Sequence, residues 1–298
     1  KAWSIIQSSD GGYVVAGATL SFGAGGPDFY VVKLDSSGDV EWTKTIGGSS
    51  WDEAYSIIQS SDGGYVVVGR TESFGAGGFD FYVVKMDDNG NVCFSQNITN
   101  YSVSSNVSSF SSPSMVAISQ SSTVDTVFPT VSYGGSVSDV CAIGFCISFA
   151  KTIGGSGPDV ALSIIQSSDG GYVVAGYTWS FGAGGYDIYV VKLDSSGDVE
   201  WTSTIGGSGE DVAWSIIQSS DGGYVVAGRT ESFGVGVYDI YVVKLDGFGD
   251  VEWTRTIGGS RVDGAFSIIQ SSDGGYVVAG ATLSFGAGGS DFYVVKMD

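Results

Sequence analysis

Ser4-Ile5-Ile6-Gln7-Ser8-Ser9-Asp10-Gly11-Gly12-Tyr13-Val14-Val15 occurs five times in this chain, beginning at Ser4, Ser56, Ser163, Ser215 and Ser267. Three of the intervals are 52 residues, and the one from Ser56 to Ser163 is 107. A period of this size, made of short apolar runs and glycine turns, marks an architecture whose units bury themselves against one another. Near-identical units also offer many equivalent surfaces, so a unique site has to come from the odd stretch, from positions where the units differ, or from the axis they share.

One unit reads as four strands. Trp3 to Gln7 is a short apolar run closed by Ser8-Ser9-Asp10-Gly11-Gly12, and Tyr13 to Gly17 is a second, rich in β-branched residues. A glycine loop over 21–26 leads to Asp28–Leu34, and the turn Asp35-Ser36-Ser37-Gly38 leads to the alternating stretch Asp39–Ile46. Strands of this length separated by turn clusters make an antiparallel meander, and nothing in the chain has helical period. Four strands in about 50 residues is the blade of a β-propeller. The class is all-β, and the long interval, taken as 52 plus 55, implies six blades. The third would be a degenerate one over 98–153, because Ala117-Ile118-Ser119-Gln120-Ser121-Ser122 echoes the first strand and Cys146 to Ile153 restores the fourth. Five blades with an excursion at 97–146 is the alternative.

Val32-Lys33-Leu34-Asp35-Ser36-Ser37-Gly38-Asp39-Val40-Glu41-Trp42 resembles the tryptophan-docking motif of quinoprotein-type propellers, one residue shorter before the glycine. It recurs at Leu193-Asp194 to Trp201 and at Leu245-Asp246 to Trp253, with Phe94 and Phe149 in the tryptophan position elsewhere. The repeat is also similar to the blade arrays of archaeal and bacterial surface proteins, over all of the chain but 98–146. The resemblance implies that Trp42, Trp201 and Trp253 pack on neighbouring blades. It carries no cofactor over, because the quinone-binding residues are absent. Ser8-Ser9-Asp10-Gly11-Gly12 also matches the core of the sialidase Asp-box, without the Thr-Trp that follows there. An aspartate bonding its own turn, followed by glycine, accounts for it.

Net charge is −20, with 12 basic residues and no histidine. That balance excludes nucleic acid as a partner, for no basic stripe is there to neutralise phosphates. Without histidine there is no Ser-His-Asp or Cys-His pair and no imidazole metal site. No apolar run is long enough to span a bilayer. Lys1-Ala2 matches Glu53-Ala54 and Asp298 matches Asp35, so the expectation is a portion of a longer protein. Three N-glycosylation sequons, at Asn97, Asn100 and Asn106, fall in the stretch that departs from the repeat, beside Cys93, Cys141 and Cys146. Together they point to an extracellular, oxidising location. A Cys93–Cys146 bond would staple the neck of an excursion, and a Cys141–Cys146 bond would close a hairpin within a blade. Either leaves one thiol over.

Asp52, Asp159, Asp211 and Asp263 share one repeat position before the innermost strand and form a candidate acidic ring at one axial mouth, able to hold a cation or to cap turns. Calcium is the cation that loops such as Asp87-Asp88-Asn89-Gly90-Asn91 bring to mind, but each lacks the bidentate glutamate that would complete a site. Binding residues are sought where units differ: Arg70-Thr71-Glu72, Tyr177-Thr178-Trp179, Arg229-Thr230-Glu231 and the aromatic Trp51. The expected function is a non-catalytic structural or adhesive module of a cell surface or extracellular assembly, contacting protein or itself. The alternative is a glycan-binding module or glycosidase that uses the clefts between blades or the axial mouth.

Overall fold

The computed structural model describes residues 1–92, 130–132 and 149–298. Every element in them is a strand, and the strands form five antiparallel sheets. Blade one is β1 (Ala2–Gln7), β2 (Tyr13–Thr19), β3 (Asp28–Leu34) and β4 (Val40–Gly47). Blade two holds β5 (Asp52–Gln59), β6 (Tyr65–Thr71) and β7 (Asp80–Met86). A three-residue strand, β8 (Thr130–Ser132), pairs with the outer edge of β4, placing Ser132 opposite Thr45. The fourth strand of blade two is β9 (Ala150–Ile153). Blade three is β10 (Asp159–Gln166), β11 (Tyr172–Thr178), β12 (Asp187–Leu193) and β13 (Val199–Ile205). Blade four is β14 (Asp211–Gln218), β15 (Tyr224–Thr230), β16 (Asp239–Leu245) and β17 (Val251–Ile257). Blade five has three strands, β18 (Asp263–Gln270), β19 (Tyr276–Thr282) and β20 (Asp291–Met297).

The blade count differs from the six expected, and the register gives the reason. Phe81 pairs with Ile153 and Val84 with Ala150, as Phe29 pairs with Ile46 and Val32 with Thr43 in blade one. Phe149 therefore stands where Trp42 stands, and Val92 where Val40 stands. Phe149 follows Val92 by 57 positions, whereas Trp42 follows Val40 by two. The whole surplus of 55 residues is an insertion within one outer strand. Blade three follows blade two directly, with β10 packed on β5, β6 and β7, so no blade lies between them. Phe94, the sequons and the three cysteines lie outside the described residues. So does the degenerate blade, apart from β8 and the last five positions, which belong to blade two.

First strands of successive blades touch one another, which puts them on the inside of the arc. Between blades the apolar residues meet in four separate clusters, one per joint. At the first, Val14, Ala16, Phe29 and Val31 face Ile57, Tyr65, Val67 and Tyr82. These joints supply the apolar burial that no single sheet provides alone. Each is also pinned by a glutamine. Gln59, Gln166, Gln218 and Gln270 accept the backbone N–H of Ser9, Ser61, Ser168 and Ser220 on the preceding blade at 2.8–2.9 Å. The run is open. Phe292 of blade five is 96% exposed and Ile5 of blade one 64%, at positions that the internal joints bury.

Candidate functional site

The tryptophans dock as the motif implies. Trp42, Trp201 and Trp253 each lie against the tyrosine that opens the next blade's second strand, with centroids 5.9 Å from Tyr65, 5.8 Å from Tyr224 and 5.8 Å from Tyr276. Phe149 does the same on Tyr172 at 6.0 Å. Trp42, Phe149 and Trp201 also fill the space beside a turn glycine. A Cβ on Gly249 would stand 2.6 Å from Trp201, and one on Gly197 would stand 2.6 Å from Phe149. The tryptophans are half-buried rather than enclosed, because the outer strand that carries them has solvent on its far side.

The Ser-Ser-Asp-Gly-Gly turn does more than hold itself. Asp10 accepts from Ser8 Oγ at 2.5 Å and from the Gly12 N–H at 2.9 Å, and its second oxygen pairs with Lys33 Nζ at 2.8 Å. Glu41 binds the same ammonium at 2.9 Å. Lys192 and Lys244 repeat this with Asp169 and Glu200, and with Asp221 and Glu252. In blade two the insertion interrupts the chain at the glutamate position, and among the described residues Lys85 pairs with Asp62 alone, at 2.5 Å. A lysine recurring inside a Val-Val-Lys strand was the available signal for this partner. It is buried at 2% in blade one, which without a carboxylate would be prohibitive. The groove around the first of these pairs, about 430 Å³, is lined by Asp10, Lys33, Glu41, Gln59, Tyr65 and Asp88, and the charges of Asp10, Lys33 and Glu41 are spent on one another.

The four aspartates of the candidate axial ring are fully buried, 0% exposed each. Asp52, Asp159, Asp211 and Asp263 accept the backbone N–H of Gly48, Gly155, Gly207 and Gly259 at 2.8–2.9 Å, and the hydroxyls of Ser73, Ser180, Ser232 and Ser284 at 2.6–2.7 Å. They organise the loops rather than line an open mouth. Among the described residues no group of three or more carboxylates or thiols is placed to hold a metal ion.

Each ring aspartate has a neighbour that sequence reading passed over. Asp28, Asp80, Asp187 and Asp239 open the third strands, each accepting the N–H four residues earlier, from Ala24, Ala76, Ala183 or Val235, at 2.7–2.9 Å. Across one glycine this carboxylate meets that of the next blade. A Cβ on Gly154 would fall 2.1 Å from Asp80 Oδ1 and 2.4 Å from Asp159 Oδ2. Burial, and then the charge of Asp159, push Asp80 up to about 7. Burial and Asp52 push Asp28 up to about 6, and Asp187 is raised for the same reasons by burial and Asp211. Asp263 goes the other way: burial would raise it, but hydrogen bonds from Ser284, Thr282 and Gly259 hold it low.

The differences between units collect on one rim. The register shifts between Ala54 and Ser56, and likewise in each first strand, so one residue bulges out of the ladder. Those residues are Trp3, Tyr55, Leu162, Trp214 and Phe266. Beside them stand the second-strand residues Arg70, Tyr177 and Arg229 and the residues before the third strand, Phe79, Tyr186 and Tyr238. Arg70 lies 4.1 Å above Phe79 and pairs with Glu53 at 2.7 Å. Arg229 lies 4.0 Å above Tyr238 and 5.3 Å from Trp214, and Tyr238 donates to Glu210 at 2.9 Å. Between them Tyr177 and Trp179 each stand edge-on to Tyr186 at 4.7 Å. Arg70, Tyr177, Trp179 and Arg229 were legible as variable positions. The bulge residues were not, because Ala-x-Ser reads as plain strand. Trp51 and Trp179 are about half exposed, at 50% and 53%.

A family model described as a β-propeller domain of unknown function, DUF5122, matches residues 8–41 and 167–200, the same stretch of blades one and three. With the five sheets, this makes the chain a β-propeller repeat protein. It is similar to a crystal structure of a protein of unknown function from Dyadobacter fermentans at 14% identity and a TM-score of 0.48, covering 98% of this chain and 74% of that one. It is also similar to Sqt1 from Chaetomium thermophilum at 12% identity and a TM-score of 0.34, covering 94% of this chain and 66% of that one. No curated protein matches.

Proposed function

We propose that this chain is a non-catalytic interaction module of a cell surface or the extracellular space, and that its variable rim meets a protein partner. One observation carries the reading. The joints repeat almost without change, while at one rim the equivalent positions vary and become Trp, Tyr, Phe and Arg. These are the residue types that dominate binding energy in protein interfaces. Carboxylates near the rim are engaged by Arg70, Arg229, Tyr55 and Tyr238, which favours recognition over acid–base chemistry. The three sequons at Asn97, Asn100 and Asn106 support the location, all within the insertion that leaves blade two after Val92 and returns at Phe149.

Cross-linking and capture from the native source tests the reading. The parent protein should retain a protein partner that the Tyr177→Ala/Trp179→Ala variant loses at unchanged melting temperature. Equal capture by both would remove the rim from the account. Specific signals on a glycan array, lost in the same variant, would favour the glycan-binding reading instead.

A further inference from the structure

Blades two, three and four each have a neighbour on both sides, and at the rim they carry a symmetric series. One position near the end of the second strand reads Arg70, Tyr177 and Arg229, and the position two residues on reads Glu72, Trp179 and Glu231. The backbone keeps this second row in step: the N–H groups of Glu72, Trp179 and Glu231 donate to the carbonyls of Trp51, Pro158 and Glu210 at 2.8–2.9 Å. All three side chains are exposed, so acid, indole and acid follow one another on successive blades. The arginines of the first row are already neutralised, Arg70 by Glu53 at 2.7 Å and Arg229 by Glu210 at 3.5 Å. Among the described residues Glu72 and Glu231 are in no ion pair. Burial and then Tyr186 raise the Tyr177 hydroxyl, and Arg70, Glu210 and Arg229 all lie near enough to act on it, so the neighbouring blades converge on blade three.

The flanking blades show what such a place holds. Each lays its own guanidinium on an aromatic ring, Arg70 at 4.1 Å from Phe79 and Arg229 at 4.0 Å from Tyr238. Blade three keeps the ring, as Tyr186, and adds the half-exposed Trp179, but has Tyr177 where its neighbours have arginine. We propose that a basic segment of the protein partner supplies the cation: an arginine or lysine side chain rests on Trp179, and basic residues beside it face Glu72 and Glu231. An aromatic face between two unpaired carboxylates attracts a cation through the ring quadrupole and through charge together. The net charge of −20 steers a basic partner inward and repels an acidic one. This rests on the rim being the contact surface and adds the chemistry of what it contacts.

Fluorescence anisotropy of the whole chain with dye-labelled nona-arginine and nona-glutamate tests this. The parent should bind the first and not the second, and bind it less tightly as salt is added. Glu72→Gln/Glu231→Gln and Trp179→Ala should each weaken binding by about tenfold. Glutamine still accepts the Glu210 N–H that Glu231 holds at 3.1 Å, so the first variant keeps the local fold. Asp39→Asn/Asp250→Asn removes two exposed carboxylates from the turns after β3 and β16, at the opposite end of the blades, and should change binding by less than about twofold. Equal loss in the two double variants would mean attraction by the general negative field and would overturn the proposal. So would binding of neither peptide, tighter binding of nona-glutamate, or full binding by Trp179→Ala. A native partner that Tyr177→Ala/Trp179→Ala loses but Glu72→Gln/Glu231→Gln retains in full would remove this inference alone and leave the proposed function standing.

Discussion

The carboxylate pairs across the joints give the protein an unusual dependence on pH, and Asp80→Asn isolates it. Asp80 is 1% exposed and faces Asp159 of the next blade across Gly154. Burial and that neighbour raise its pKa from 3.8 to about 7. The native state then holds a proton that the unfolded chain has released at any pH between those values, so stability falls as pH rises through the window. At about 1.36 kcal/mol per unit, Asp80 alone should make the protein about 2–3 kcal/mol more stable at pH 5 than at pH 8. Asparagine mimics the protonated acid. Its oxygen can still accept the Ala76 N–H, and its amide carries no charge toward Asp159.

Urea denaturation followed by tryptophan fluorescence at pH 8 and at pH 5 is the assay. The variant should exceed the parent by about 4 kcal/mol at pH 8 and by about 1–2 kcal/mol at pH 5, so the gap narrows by about 2–3 kcal/mol between them. A smaller slope should remain in the variant from Asp28, raised to about 6, and from Asp187. Below about pH 4 the sign reverses. Asp10, held low by Lys33, and Asp221, held at about 2 by Ser219, Gly223 and Lys244, lose their bonds on protonation. A parent equally stable at pH 5 and pH 8, or a variant less stable than the parent at pH 8, would refute the claim that joint carboxylates share this strain.

Trp201→Ala should cost about 2–3 kcal/mol, less than a fully enclosed aromatic because the indole is half-buried, and an unchanged urea midpoint would leave its contact with Tyr224 without energetic weight. Gly249→Ala and Gly38→Ala carry the same backbone penalty, since φ is 88° and 91°, but only the first meets a docked ring. Gly249→Ala should therefore be worse by about 1–2 kcal/mol, and equal losses would show that the turn, not the docking, sets the cost. Protein from a glycosylating host should carry sugar at Asn97, Asn100 and Asn106, and enzymatic removal should leave the melting temperature unchanged; an unglycosylated mass from the native source would remove the main support for an extracellular location.

Strand positions, turn chemistry and docking were legible in the sequence because each is local and recurs five times. Tyr13 to Gly17 can only be a strand between Asp10-Gly11-Gly12 and the glycine loop, and β2 runs Tyr13–Thr19. The blade count was not legible, because it turns on which of two segments pairs with β7. Asn91-Val92-Cys93-Phe94 and Phe149-Ala150-Lys151-Thr152 both fit the alternating pattern, and period alone cannot choose between them. Only the continuation Thr152-Ile153-Gly154 distinguishes them. It brings Ile153 opposite Phe81 and places Gly154 where Asp80 and Asp159 leave no room for a side chain. The burial of the acidic ring, which caps turns, was not legible for a related reason. A sequence shows that Asp52, Asp159, Asp211 and Asp263 are equivalent, but not that Ser73, Ser180, Ser232 and Ser284 close over them from 21 residues away.

The insertion shows what the architecture tolerates and where. Fifty-five surplus residues enter at the outer strand of blade two, the strand farthest from the axis, and the joint beyond it survives because Phe149 resumes the docking role on Tyr172. Loop-closure entropy grows only slowly with length, so such an insertion costs little if its two ends stay on the strand. What it removes is specific. Among the described residues Lys85 has no counterpart of Glu41 and relies on Asp62, with the Tyr172 ring 5.6 Å from its ammonium. Blade two should therefore be the more sensitive one when its turn aspartate is lost. Asp62→Asn leaves Lys85 with no carboxylate among the described residues, whereas Asp169→Asn leaves Lys192 paired with Glu200 at 2.7 Å. The first change should cost about 3 kcal/mol and the second about 1. If the two cost the same in urea denaturation, the second carboxylate in the regular blades contributes nothing to holding the buried lysine.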